Sequence, residues 1–291
     1  MSRKFTYLYN ASALGVGGVL KDDRDVTTLV PSLGSVALAP SGGEGSIEIL
    51  NYDRDGVSFS KASSRVTGYD SAYHTFTTIA DVYITNLNLF GRVKAAILQT
   101  SIKSTREVLE NGNLSTESDP DKARFSMSSI IRGLTIDDVE VIPGFDFELC
   151  ESPTYYDFTN KLTAKSNAYA QQFGVAPAQL LAVLKANAQP IRGSFVNALQ
   201  HQPTHRLGPR QGFRLPVKNF GTVHFGELVV KPGHRRVNLL RMEFDSTLTF
   251  GERMLAGAGA VTAEDTLVGQ SPHSGTMTLL SHDTNGAPNW P

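Results

Sequence analysis

Short runs of alternating apolar and polar residues dominate the chain, and the clearest lies at 76–85. Phe76, Thr78, Ala80, Val82 and Ile84 take one face, and Thr77, Ile79, Asp81, Tyr83 and Thr85 the other. A period of two is that of an extended strand with unlike faces. The same pattern predicts strands at 4–10, 35–39, 46–52, 57–67, 93–102, 125–131, 134–142, 222–230 and 235–244. Asp53-Arg54-Asp55-Gly56 and Lys231-Pro232-Gly233-His234 separate two pairs of these with hairpin-forming residues, so antiparallel pairing is expected.

Between about 152 and 188 the period changes. Ser152 can cap a helix and Pro153 can occupy its first position; Tyr155, Phe158, Leu162, Tyr169 and Phe173 then recur at helical spacing up to Gly174. Pro177 opens a second segment, with Leu180, Leu181 and Leu184 on one side before Pro190 ends it. The expected fold is mainly β: one β-rich domain over 1–291, an antiparallel β-sandwich or flattened barrel, with a two-helix insertion near 152–188.

A faint internal echo accompanies these runs. Ile84-Thr85-Asn86-Leu87-Asn88-Leu89 and Ile131-Arg132-Gly133-Leu134-Thr135-Ile136 share apolar, any, small, Leu, any, apolar, and Ile191-Arg192-Gly193 repeats the opening. Six positions are too few to establish duplication in a β-rich chain.

Composition supports the strand reading: Ser and Thr number 49 of 291 residues, and Gly and Pro together 40. No uninterrupted apolar stretch reaches about 18 residues, so no spanning helix is predicted. Glycines 15, 17 and 18 interrupt the N-terminal segment before it could act as a signal peptide, which predicts synthesis in the cytoplasm without excluding release. The lone Cys150 offers no intrachain disulfide or cysteine-rich metal site, and fits a packed thiol better than a nucleophile.

The net charge of −1 conceals segregation. Residues 107–157 hold 12 acidic and 3 basic side chains; 201–241 hold Arg206, Arg210, Arg214, Lys218, Lys231, Arg235, Arg236 and Arg241 against Glu227 alone, with four histidines besides. Two readings follow. The blocks face each other, within the molecule or between subunits of a homo-oligomer, or the basic one docks a polyanion such as glycan, nucleic acid or anionic lipid.

Motifs for chemistry are sparse. Asn51, Asp53, Asp55 and Gly56 share the spacing of a calcium loop, but Ala62 stands where a bidentate glutamate is required and the flanks read as strands, so a hairpin turn is preferred. His201 and His205, with His224 and His234, could build a loop-borne metal or enzymatic site, although Pro203 spoils a helical pair. Gly269-Gln270-Ser271-Pro272-His273 lacks the glycine and the amide of a serine elbow. The glycines at 15, 17 and 18 lack the rest of a phosphate loop and suit a bulge or close strand approach; no cofactor is predicted. Asp137, Asp138, Glu140, Asp146 and Glu148 suit a solvated sheet face. Residues 57–85, rich in Ser and Thr, also have the composition of a β pore-forming hairpin. These features together favour a non-catalytic binding or self-assembling protein, with a pore-forming toxin or a histidine-built enzyme as alternatives.

Overall fold

The computed structural model describes residues 6–21, 27–71, 75–109, 113–115, 123–165, 176, 178, 182, 191–202, 204–210, 212–231, 233–245 and 274–289. Among them, sixteen strands form two antiparallel sheets that pack face to face without closing into a barrel. The first sheet has the order β11(Ile191–Ser194), β14(Gly221–Lys231), β15(His234–Asp245), β16(Ser274–Asn289), β1(Thr6–Lys21), β2(Thr27–Leu33); β13(Arg214–Val217) also pairs β14 and β3(Val36–Ala37) also pairs β1. The second has the order β12(Val196–His201), β10(Val139–Phe145), β9(Thr135–Ile136), β7(Val93–Glu107), β6(Thr75–Leu89), β5(Val57–Asp70), β4(Gly43–Arg54), with β8(Ala123–Arg132) beside β7. Strands β1, β15 and β16 of the first lie on β5, β6 and β7 of the second.

Each long strand reverses its alternation once. In β5 the buried residues are Val57 and Phe59, then Ala62, Ser64 and Val66; in β6, Ala80, Val82 and Ile84, then Leu87 and Leu89; in β7, Val93 and Ala95, then Leu98, Thr100 and Ile102. The first sheet repeats this in β1 (Tyr9, Ala11 and Ala13, then Val16 and Leu20) and in β14 (Val223 and Phe225, then Leu228 and Val230). The reversals align across neighbouring strands. In the second sheet they coincide with left-handed residues at Asn51 (φ 52°), Asn86 (φ 51°) and Gly133 (φ 60°), and in the first with Gly226 (φ 56°) and Leu280 (φ 49°). A left-handed residue turns the peptide over and resets which side faces inward, and paired strands that skip together keep their register. The third position of the sequence echo is this residue in both copies. Gly193 instead lies in β11 opposite Leu228.

Outer strands break at the same lines: β8 gives way to β9 around Gly133, and β2 to β3 around Gly34, whose carbonyl accepts from the Gly15 amide at 3.3 Å. Gly15 has no room for a side chain there, since a Cβ would stand 2.9 Å from the Leu33 carbonyl oxygen. The edges on this side are guarded. β2 carries Pro31, which has no amide to donate, and β4 carries Glu44, Glu48 and Asp53 plus the left-handed Asn51.

The first predicted helix starts later and closes sooner than its pattern suggests, and a short helix precedes it. α1 spans Phe147–Cys150 with Asp146 as its N-cap; α2 spans Tyr155–Ala164, where Thr154, not Ser152, accepts from the Asp157 amide at 3.0 Å. The Ser152 hydroxyl instead donates to the Glu148 carbonyl, and α2 closes at Lys165 rather than near Gly174. The second predicted helical segment, 177–190, lies outside the described residues apart from 178 and 182.

Candidate anion-binding surface

Between β12 and β13 the chain makes an excursion, 202–213, pinned by backbone bonds and two apolar anchors. The Gly208 amide donates to the Pro216 carbonyl at 2.9 Å and the Lys218 amide to the Arg206 carbonyl at 2.8 Å, while Leu207 and Phe213 are buried. The Thr204 hydroxyl accepts from the amides of Arg206 and Leu207, tightening the turn. Because the inward positions are apolar, the basic side chains are left outside. Arg210 and Arg214 are exposed, and Arg206 and Lys218 half-buried. Arg210 donates to the Asn197 carbonyl at 3.5 Å, and the Arg214 guanidinium lies 5.4 Å from the centre of the Phe213 ring. His201 and His205 flank the same excursion and are not brought together with His224 into a metal cluster: among the described residues no three His, Cys, Asp or Glu side chains are placed to hold an ion.

The eight basic residues of 201–241 do not form one surface. Arg235 points into the core, its guanidinium 4.4 Å from the Phe125 ring centre, and donates to the carbonyls of Lys231 and His234. Arg241 is held by Glu227 through two 2.8 Å hydrogen bonds and by Glu243 at 3.2 Å. It also donates to His224 Nδ1 at 3.1 Å; since a guanidinium only donates, His224 carries its proton on Nε2, which faces Glu243 at 3.2 Å. Burial, reinforced by Arg241, lowers the His224 pKa to about 4. Burial works to raise that of Glu227, but the bonds and charge of Arg241 hold it below the ordinary glutamate value. Lys231 and Arg236 stand exposed at the far end of β14 and β15. The arm 204–218 is therefore the basic element presented together.

Five described acids of 107–157 pair with cations close by. Arg92 grips Asp137 with two 2.7 Å bonds, Lys94 holds Asp138, Lys161 holds Asp157, and Lys165 holds both Asp146 and Glu148. These cations come from outside 201–241. Charge segregation in the chain also extends further than the two blocks: residues 158–226 contain Lys161, Lys165, Lys185, Arg192, Arg206, Arg210, Arg214 and Lys218 and not one Asp or Glu.

Asp55 (φ 53°) and Gly56 (φ 76°) form a two-residue turn with Arg54 paired to Val57, the hairpin preferred over a calcium loop for Asn51, Asp53 and Asp55. Strands β5 and β6, which make up the hairpin 57–85, are interior, each paired on both sides. Ser271 and His273 lie outside the described residues. Cys150 is buried beside Asp146 and Glu151, and burial first, then those carboxylates, pushes its thiol up to about 12. Ellman's reagent at about pH 8 should therefore leave the folded chain unmodified over hours and titrate one thiol after denaturation; rapid reaction of the native chain would contradict this packing.

Residues 7–192 match the family described as a domain of unknown function (DUF8256). The chain belongs to that family. The matched segment takes in the whole second sheet except β12, and the insertion; the arm 204–218 lies beyond it. No curated protein and no solved structure gives a match.

Proposed function

We propose that this chain is a non-catalytic binding protein that holds a polyanion on the arm 204–218. The reading is carried by one asymmetry: Asp137, Asp138, Asp146, Glu148 and Asp157 of the acidic block each have a cation beside them, whereas Arg210, Arg214 and Lys218 have no carboxylate partner among the described residues and stand in an acid-free span. Clustered unpaired cations on a rigid scaffold attract phosphate or sulfate chains and release their counterions. Leu207 and Phe213 hold the arm against the sheet, so the cations are positioned before any ligand arrives. Self-association by strand addition is less favoured, because β2 and β4 are both guarded.

Fluorescence anisotropy with labelled oligothymidylate and with heparin tests it. Replacing Arg210, Arg214 and Lys218 together by serine should weaken both by roughly tenfold or more. Replacing Lys231 and Arg236, at the other end of the sheet, should change affinity by less than about twofold. Equal losses in the two variants, or none in the first, would remove the arm from the account.

A further inference from the structure

Phe147, the first residue of α1, is 57% exposed, the most exposed aromatic side chain among the described residues. It is not loosely held. Its ring meets Phe145 edge-on at 6.1 Å, and Phe145 stacks on the fully buried Phe195 at 5.6 Å, so an aromatic row runs from the core to the surface. The Asp146 amide donates to the Phe195 carbonyl at 2.7 Å and fixes the start of α1 to the corner between β11 and β12. Exposing a large apolar ring costs free energy that an ordinary surface residue would not, and the row prevents it from folding back.

Strand β12 also touches the arm. In β12, Val196 pairs with Phe145 and Ala198 with Gly144, and Asn197 between them offers its carbonyl to Arg210. Aromatic row and basic arm thus converge on three consecutive residues. The acids flanking Phe147 do not oppose an anion at full strength, since Lys165 binds Asp146 at 3.0 Å and Glu148 at 2.6 Å.

We infer that the polyanion is single-stranded nucleic acid, with Phe147 as a stacking platform for a base while Arg210 and its neighbours on the arm hold the adjoining phosphates. This rests on the polyanion reading and narrows it. An unpaired base offers a free π-face; a duplex keeps its base faces inside the stack, and a sulfated glycan has none.

The test compares the full chain with Phe147→Ala and Phe147→Trp against three probes: a labelled oligothymidylate of about 12 nucleotides, within the range of known single-strand sites, a duplex of equal length, and heparin. Phe147→Ala should weaken oligothymidylate binding by about 5- to 100-fold, the usual loss of one stacked base, and leave heparin binding unchanged. Phe147→Trp should retain oligothymidylate affinity and show indole quenching on binding. If heparin and oligothymidylate bind the wild-type chain and Phe147→Ala changes neither, stacking is wrong while the polyanion reading stands. If the wild-type chain prefers the duplex, the single-strand assignment is overturned. If it binds none of the three, the polyanion reading falls and this inference with it.

Discussion

Lowering the pH from about 6.5 towards about 4.5 should destabilise the chain by about 4 kcal/mol, a fall of roughly 10 °C in Tm for a chain of this size. His282 on β16 is fully buried between the sheets; its Nε2 meets the Thr100 hydroxyl at 3.2 Å and Thr100 meets Ser129 at 2.9 Å. Burial lowers its pKa from 6.5 to about 3, and that of His224 to about 4. The sign follows from which state takes up the proton. Below about pH 6.5 the unfolded chain protonates these imidazoles and the folded chain does not, so folding weakens progressively until the folded values are reached. Each histidine contributes a slope of about 1.4 kcal/mol per pH unit in that window. Glu227 adds a further loss only below its ordinary value near 4.5, because its folded pKa is depressed. His282→Leu keeps an apolar body in the cavity and leaves Thr100 bonded to Ser129, so about half of the slope between about pH 6 and 4.5 should vanish. A variant whose Tm falls with pH in parallel with wild type would show that His282 is not buried as described.

Removing the Arg92 side chain should cost about 3–5 kcal/mol, the usual effect of stranding one member of a buried ion pair. Asp137 is only 2% exposed and receives two 2.7 Å bonds from the guanidinium. Arg92 also donates to the Lys218 and Asn219 carbonyls at 2.7 and 2.9 Å and lies over the Phe220 ring at 4.8 Å. It thereby ties the β6–β7 turn of one sheet to the turn before β14 in the other. Arg92→Leu alone leaves a buried carboxylate without its cation, whereas Arg92→Leu with Asp137→Asn, an amide that tolerates the left-handed backbone at 137 (φ 49°), removes both charges and should recover part of the loss. Chemical denaturation of the two variants measures the difference. Equal stability of the single and double variants would mean that Asp137 is hydrated rather than held. Because Lys218 belongs to the arm, the single variant should also loosen the base on which the cations are mounted.

The mainly β architecture is legible in the sequence because most strands show at least one clean stretch of alternation. What the period-two pattern does not convey is length. It ends β1 near residue 10, because Gly15, Gly17 and Gly18 look like interruptions, yet Gly15 lies where the strand passes the Leu33 carbonyl and reverses its faces. Reversals at Asn51, Asn86 and Gly133 cut each alternating run in two, and the six-residue echo is their trace in sequence. The pattern does not reveal β16 at all, although it is an inner strand between β15 and β1. Gly275, Asp283, Asn285, Gly286 and Pro288 give it turn composition, and it is extended because neighbours pair it on both sides. Tertiary pairing overrides local preference there.

The candidate surface is half legible. Charge density alone picks out Arg206, Arg210, Arg214 and Lys218, which lie on one excursion of the chain and on the strand and turn that follow it. It picks out Arg235 and Arg241 on the same ground, but residue type does not reveal which face of a strand a side chain takes: Arg235 falls on the core face and Arg241 opposite His224. Phe147 carries no signal, since an exposed phenylalanine at a helix start looks like a core residue until the rows packed behind it are known.

The most direct measurement of the central claim is the salt dependence of oligothymidylate binding. Arg210, Arg214 and Lys218 on a single strand predict a slope of about −2 in log K against log salt, or roughly a 20-fold loss between about 50 and 200 mM. An affinity that stays flat across that range, or no binding at its lower end, would contradict the assignment of 204–218 as a polyanion-binding arm.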